Sequence, residues 1–151
     1  MKRIISALLV IITILTTFTL PLNAASVPDE TVIVTSVDPR LNNGSICNYL
    51  FAITSSGLAN VEIDYQGISG VTTKVTSTVY IQKKFLGLFW TKVDIGTTDD
   101  EWVDSSTNVS GAFSHSVQLG SSGTYRAVFE IKMYGSGGAT DTIEDKIEKK
   151  Y

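Results

Sequence analysis

The sequence predicts an all-β fold, two antiparallel sheets packed as a sandwich of seven to eight strands. Three observations predict it. From residue 46 onward apolar residues recur with a period of two rather than 3.6. Clusters of Gly, Ser, Asn and Asp interrupt that pattern at short intervals, as turns do between short strands. Ser and Thr are abundant; Thr suits a pleated surface, whereas Ser competes poorly inside helices.

The elements follow in order. "MKRIISALLVIITILTTFTL" places Lys2 and Arg3 before a long uncharged run, then Pro21 and small residues at Asn23-Ala24-Ala25. This is the layout of a secretory signal peptide over 1–25. An uncleaved N-terminal membrane anchor is the competing reading, since the run borders on spanning length. Residues 26–45 read as an N-terminal arm: Thr31–Val37 is β-prone and adds an edge strand, and Asn42-Asn43-Gly44-Ser45 is a turn. The domain proper is 46–151.

Within it, "CNYLFAIT" is an apolar strand closed by Ser55-Ser56-Gly57. In "LANVEIDY", Val61, Ile63 and Tyr65 face one way and Glu62 and Asp64 the other. "TKVTSTVYIQKK" puts Val75, Ser77, Val79 and Ile81 on one face. After an apolar tip, "WTKVDIG" does the same with Val93 and Ile95, and 96–104 reads as a loop. "AFSHSVQL" aligns Phe113, His115, Val117 and Leu119. "YRAVFEIKMY" aligns Tyr125, Ala127, Phe129, Ile131 and Met133. Such alternation marks strands with one face in a core and one in water. "TDTIEDKIEKKY" fits a helix turn or a strand; a last strand is the expectation, because an all-β core needs its edge covered.

One local feature narrows the fold. "GSSGTYRAVF" enters a strand with Tyr125 after a Gly/Ser turn, the setting of the tyrosine corner of Greek-key, immunoglobulin-like sandwiches. It assigns Tyr125 a structural role and says nothing of function.

The short motifs "DPR" at 38–40, "SSGLA" at 55–59, "YIQKK" at 80–84 and "SSGTYRA" at 121–127 are similar to a group of small secreted proteins from Gram-positive, Clostridium-like bacteria. The resemblance covers about residues 38–151. It implies a β-sandwich and no assigned activity, and it supplies no functional residues. It also implies that the segment after "QKK" can be polar, so the apolar tip here departs from it.

Composition excludes some roles. Removing 1–25, with two of the 12 basic residues and none of the 15 acidic ones, leaves 126 residues at a formal charge of −5. Nucleic-acid binding needs a basic footprint, and bulk attraction to anionic membranes needs positive charge. The single cysteine, Cys47, cannot form an internal disulfide; it reads as a small core residue, with an intermolecular bond the lesser alternative. Catalysis lacks an inventory. His115 is the one histidine, and its neighbours Ser114 and Ser116 point to the other face. One His and one Cys do not make a zinc site.

Three surfaces remain. Asp99, Asp100, Glu101 and Asp104 form an acidic loop that reads as a solvated turn or as an oxygen-rich calcium site, calcium being the only cofactor suggested. Trp90 reads as the core Trp of the sandwich or as a rim aromatic; Trp102 is equally balanced, and exposed indoles would stack on a glycan or pack on a protein. Most unusual is "KKFLGLFWTK" at 83–92, an apolar hairpin tip with lysines on both sides. The pleat predicts Phe85 and Phe89 on the core side, Trp90 opposite, and Leu86, Gly87 and Leu88 at the point. The expectation is therefore a secreted, non-catalytic protein binding an extracellular glycan or protein through Leu86, Leu88, Trp90 and Trp102. Its alternative is a bacteriocin-like or membrane-active protein contacting bilayers through the 85–90 tip. A small hydrolase using paired carboxylates is a third, weaker class.

Overall fold

The computed structural model describes residues 33–36 and 41–151; the expected signal peptide and most of the arm lie outside them. Among the described residues every regular element is a strand: β1 (Ile33–Ser36), β2 (Gly44–Ile53), β3 (Leu58–Gly67), β4 (Thr72–Phe85), β5 (Phe89–Lys92), β6 (Trp102–Ser106), β7 (Ser110–Gln118), β8 (Thr124–Gly135) and β9 (Asp141–Lys150). They form two antiparallel sheets. One has the order β1-β2-β3-β7; in the other β4, β8 and β9 lie side by side, and β5 and β6 both pair with the free edge of β4. Nine segments therefore fill eight places, and β6 falls in a stretch expected to be loop.

The alternation read from the sequence is the alternation of the structure. Phe51, Val61, Ile63 and Tyr65 of one sheet meet Val75, Val79, Ile81, Phe129, Ile131 and Met133 of the other. Burying these side chains contributes roughly 1.5–3 kcal/mol each for the larger ones. Tyr49 and Phe129 touch across the sheets, ring centroids 5.0 Å apart, and the Tyr49 hydroxyl donates to Asp145 Oδ2 at 2.6 Å. Cys47 is fully buried on the same face, which leaves its thiol no route to another chain.

Two polar devices hold the ends. At one end the buried carboxylate of Asp141 accepts from the backbone N–H groups of Asn42 (2.7 Å), Asn43 (2.6 Å) and Gly44 (3.0 Å), tying the first turn to the start of β9. At the other end the Tyr125 hydroxyl donates to the Ser121 carbonyl, and Gly123 and Tyr151 exchange backbone hydrogen bonds.

Candidate functional site

β4 is 14 residues long, and its pairing with β8 ends at Lys83 opposite Tyr125. Lys84 and Phe85 run on, paired only with Trp90 and Phe89 of β5. The hairpin thus projects beyond the end of the sandwich. Leu86 (φ 49°) and Gly87 (φ 71°) turn the chain, and the Leu88 N–H donates to the Phe85 carbonyl at 3.0 Å. Positive φ at two successive residues is the demand of a tight hairpin, usually met by Asn-Gly. Gly87 meets it without strain; a leucine in that region costs about 1 kcal/mol.

The pleat runs as the alternation predicts, but the burial does not follow. Phe85 continues the row of Val79 and Ile81, with Phe89 across from it. Both were expected to close the core. Instead Phe85 is 59% exposed and Phe89 65%, alongside Leu86 at 76% and Leu88 at 73%. The physical reason is length: among the described residues no strand of the facing sheet covers that stretch, so the inward direction at residue 85 points into solvent. The tip is one continuous apolar knob.

A basic collar surrounds its base. Lys83 Nζ lies 5.3 Å from the Tyr125 ring and bonds Ser121 Oγ at 2.5 Å. Trp90 has the Arg126 guanidinium 4.1 Å and the Lys84 ammonium 5.3 Å from its ring centroid. Gln82 Oε1 fixes that guanidinium by accepting from Arg126 Nε at 2.7 Å. Lys92 stands over Tyr80 at 4.8 Å and pairs with Glu101 at 2.6 Å; that bond raises the ammonium above its ordinary pKa. Lys149 and Lys150 pair with Tyr125 and Thr124 at the same end. The other two loops there, "TSSG" at 54–57 and "LGSSG" at 119–123, hold no charged residue. Periodicity could not reveal this collar, because its members come from β4, β5, β8 and β9.

The structure separates the two readings open for each tryptophan. Trp90 is not the core Trp; it lies on the outer face between two cations and is partly exposed. Trp102 is 8% exposed and belongs to the core, so it offers no rim to a ligand. Its indole lies parallel to the His115 ring, centroids 4.9 Å apart and 5° between planes. The cause is β6: in "WVDSS" Trp102 and Asp104 point inward and Val103 outward.

β6 also disperses the acidic loop. Asp104 Oδ2 contacts His115 Nε2 at 2.7 Å and accepts from Ser77 Oγ at 3.1 Å, between the sheets. Glu101 is held by Lys92, and Asp94 caps the Gly96 N–H at 2.8 Å. Asp99, Asp100, Glu101 and Asp104 are therefore not brought together as calcium ligands. Among the described residues no three His, Cys, Asp or Glu side chains converge as metal ligands. The Asp104–His115 pair escaped the sequence reading because 11 residues and two sheets separate its members.

The outer face of the second sheet carries an open groove of about 510 Å³ lined by Tyr80, Val128, Glu130, Glu144 and Lys146. Glu130 stands directly across from Glu144 and is paired with Lys132.

Comparison of the chain with protein-family models, with curated proteins and with solved structures returns no match.

Proposed function

We propose that this chain is an exported, non-catalytic β-sandwich that docks onto lipid surfaces through the 85–90 hairpin. The observation that carries the reading is the exposure of Phe85, Leu86, Leu88 and Phe89 together at the apex of a projecting hairpin. A soluble protein rarely keeps so large an apolar patch unless something covers it. Partial insertion of four such side chains is worth about 6 kcal/mol, the free energy of a dissociation constant in the tens of micromolar. Trp90 and the lysines behind the tip match the aromatic and cationic residues that settle at headgroup depth. Each cation near an anionic surface adds about 1 kcal/mol. The acidic net charge of the chain leaves the apolar apex as the main anchor and the collar as its local aid.

Other features support the remaining parts of this reading. The N-terminal apolar run with its small-residue close supports export. Strand order β2-β3-β7 against β5-β4-β8-β9, with the Tyr125 hydroxyl on the Ser121 carbonyl, supports a Greek-key, immunoglobulin-like arrangement. Ser77 donates to Asp104 rather than to His115, so that constellation presents no nucleophile to the imidazole. A glycan- or protein-binding role retains only Leu86, Leu88 and Trp90 of its expected surface, because Trp102 is in the core.

Vesicle co-sedimentation tests the proposal. The wild-type protein should pellet with phosphatidylcholine vesicles and more strongly when phosphatidylglycerol is included. Leu86→Asp with Leu88→Asp should abolish pelleting. A wild-type protein that stays in the supernatant with both vesicle types sinks the reading and leaves a protein pocket as the cover for the tip.

A further inference from the structure

A sheet edge exposes unpaired N–H and C=O groups, and proteins guard such edges with charge, brevity or irregularity. Three of the four edges here are guarded. β9 reads "DTIEDKIEKK", with charged side chains along its length. β1 has four residues. The edge shared by β5 and β6 is interrupted by residues 93–101. The fourth is not. β7, "SGAFSHSVQ", is nine residues long and contains no Lys, Arg, Asp, Glu or Pro. It pairs with β3 on one side and, among the described residues, with no strand on the other. Its inward side chains Phe113, His115 and Val117 are only half-buried, because their sheet stops there.

From this edge we infer that β7 is a self-association surface, where two copies of the chain pair β7 with β7 in antiparallel fashion about a two-fold axis at Ser114. The occupant follows from self-complementarity. Only a centre at Ser114 overlaps all nine residues. In that register Phe113 meets the other copy's His115 on the inner face, and Ala112 meets its Ser116 on the outer face. No like charges oppose one another, and the outer residues are small enough to pass. Each copy supplies the strand that the other sheet lacks, closing both edges at once. Because the paired strands run in opposite directions, the two 85–90 hairpins lie at opposite ends of the dimer. One strand edge buries less than the roughly 1,600 Å² of a standard stable interface, so the association is weak.

Sedimentation equilibrium from about 5 to 200 μM should show a monomer–dimer equilibrium within that range. Ser114→Lys places two ammonium groups on the axis and should leave a monomer with an unchanged thermal transition, since Ser114 is exposed. Ser114→Cys should form a disulfide-linked dimer under oxidising conditions at least tenfold faster than Ser110→Cys, whose partner in this register is Gln118. Cys47 is buried and does not compete. Leu86→Asp with Leu88→Asp should dimerise like wild type, which separates this surface from the tip. A wild-type monomer at 200 μM, equal crosslinking of the two cysteine variants, or loss of the dimer only in the tip variant would each overturn the inference.

Discussion

Phe85 stands directly across the hairpin from Phe89, and both rings lie more in solvent than in protein. Their removal should therefore cost little. Phe85→Ser with Phe89→Ser is expected to lower stability by less than about 1 kcal/mol, against about 3–5 kcal/mol for Phe129→Ala in the core. Urea unfolding followed by circular dichroism compares the two; a loss near the core value in the hairpin variant would show that the phenyl pair is packed.

Leu86 holds a left-handed backbone conformation that its side chain does not favour. Leu86→Asn should raise the urea midpoint, by about 0.5–1 kcal/mol of stability, because asparagine tolerates that region. The same variant should weaken vesicle binding, since it removes one of the two most exposed leucines. A lowered midpoint would contradict the assigned turn geometry.

The indoles should report opposite environments. Trp102→Ala is expected to cost about 3–5 kcal/mol and Trp90→Ala about 1 kcal/mol. With Trp102 alone (Trp90→Phe), emission should be blue-shifted and poorly quenched by acrylamide. With Trp90 alone (Trp102→Phe), quenching should be efficient. Reversed quenching would mean that β6 is misregistered.

Asp141 satisfies three backbone donors at a buried turn. Asp141→Ala should lose about 2–4 kcal/mol, because the N–H groups of Asn42, Asn43 and Gly44 are left without their charged acceptor. Differential scanning calorimetry measures it; a transition shifted by less than a degree would refute the clamp.

Burial, with the negative charge of Asp64 beside it, pushes the Cys47 thiol from 9.0 up to about 12. Burial and the hydrogen bond to Asp145 push the Tyr49 hydroxyl up from 10.0 as well. Both groups stay protonated in the fold after the unfolded chain has ionised. Their contribution is complete below pH 9 and is lost as pH rises from 9 toward 12. For Cys47 the loss is on the order of 2 kcal/mol by pH 10.5. Urea midpoints between pH 7.5 and 10.5 should fall for wild type and fall less for Cys47→Ala. Parallel decline of the two proteins would remove Cys47 as a cause.

Local chemistry carried most of the strands. Val61, Ile63 and Tyr65 alternate with charged neighbours, and the row from Tyr125 to Met133 alternates with Arg126, Glu130 and Lys132; both sets lie where the period places them. β6 was hidden because five residues beside an acidic run offer too short a pattern. With 96–104 read as loop, Trp102 stays balanced between core and rim and Asp104 falls among the loop carboxylates; the strand buries the indole and brings Asp104 to His115. The candidate site was half legible. Leu86, Gly87 and Leu88 stand at the apex as the register predicts, and Trp90 lies opposite Phe89. The exposure of Phe85 and Phe89 was not legible, since alternation reports a direction and not what lies in that direction.

By itself the sequence determined which face each strand turns inward, where most turns fall and that an apolar hairpin exists, because side-chain alternation and turn chemistry are local. Tertiary structure alone decided how far each strand reaches, which residues of distant strands meet and which edge is left bare. Those depend on the relative lengths and registers of strands far apart in the chain. The extra residues of β4 beyond its last pair with β8 are what turn a run that could have closed the core into an exposed knob ringed by lysines.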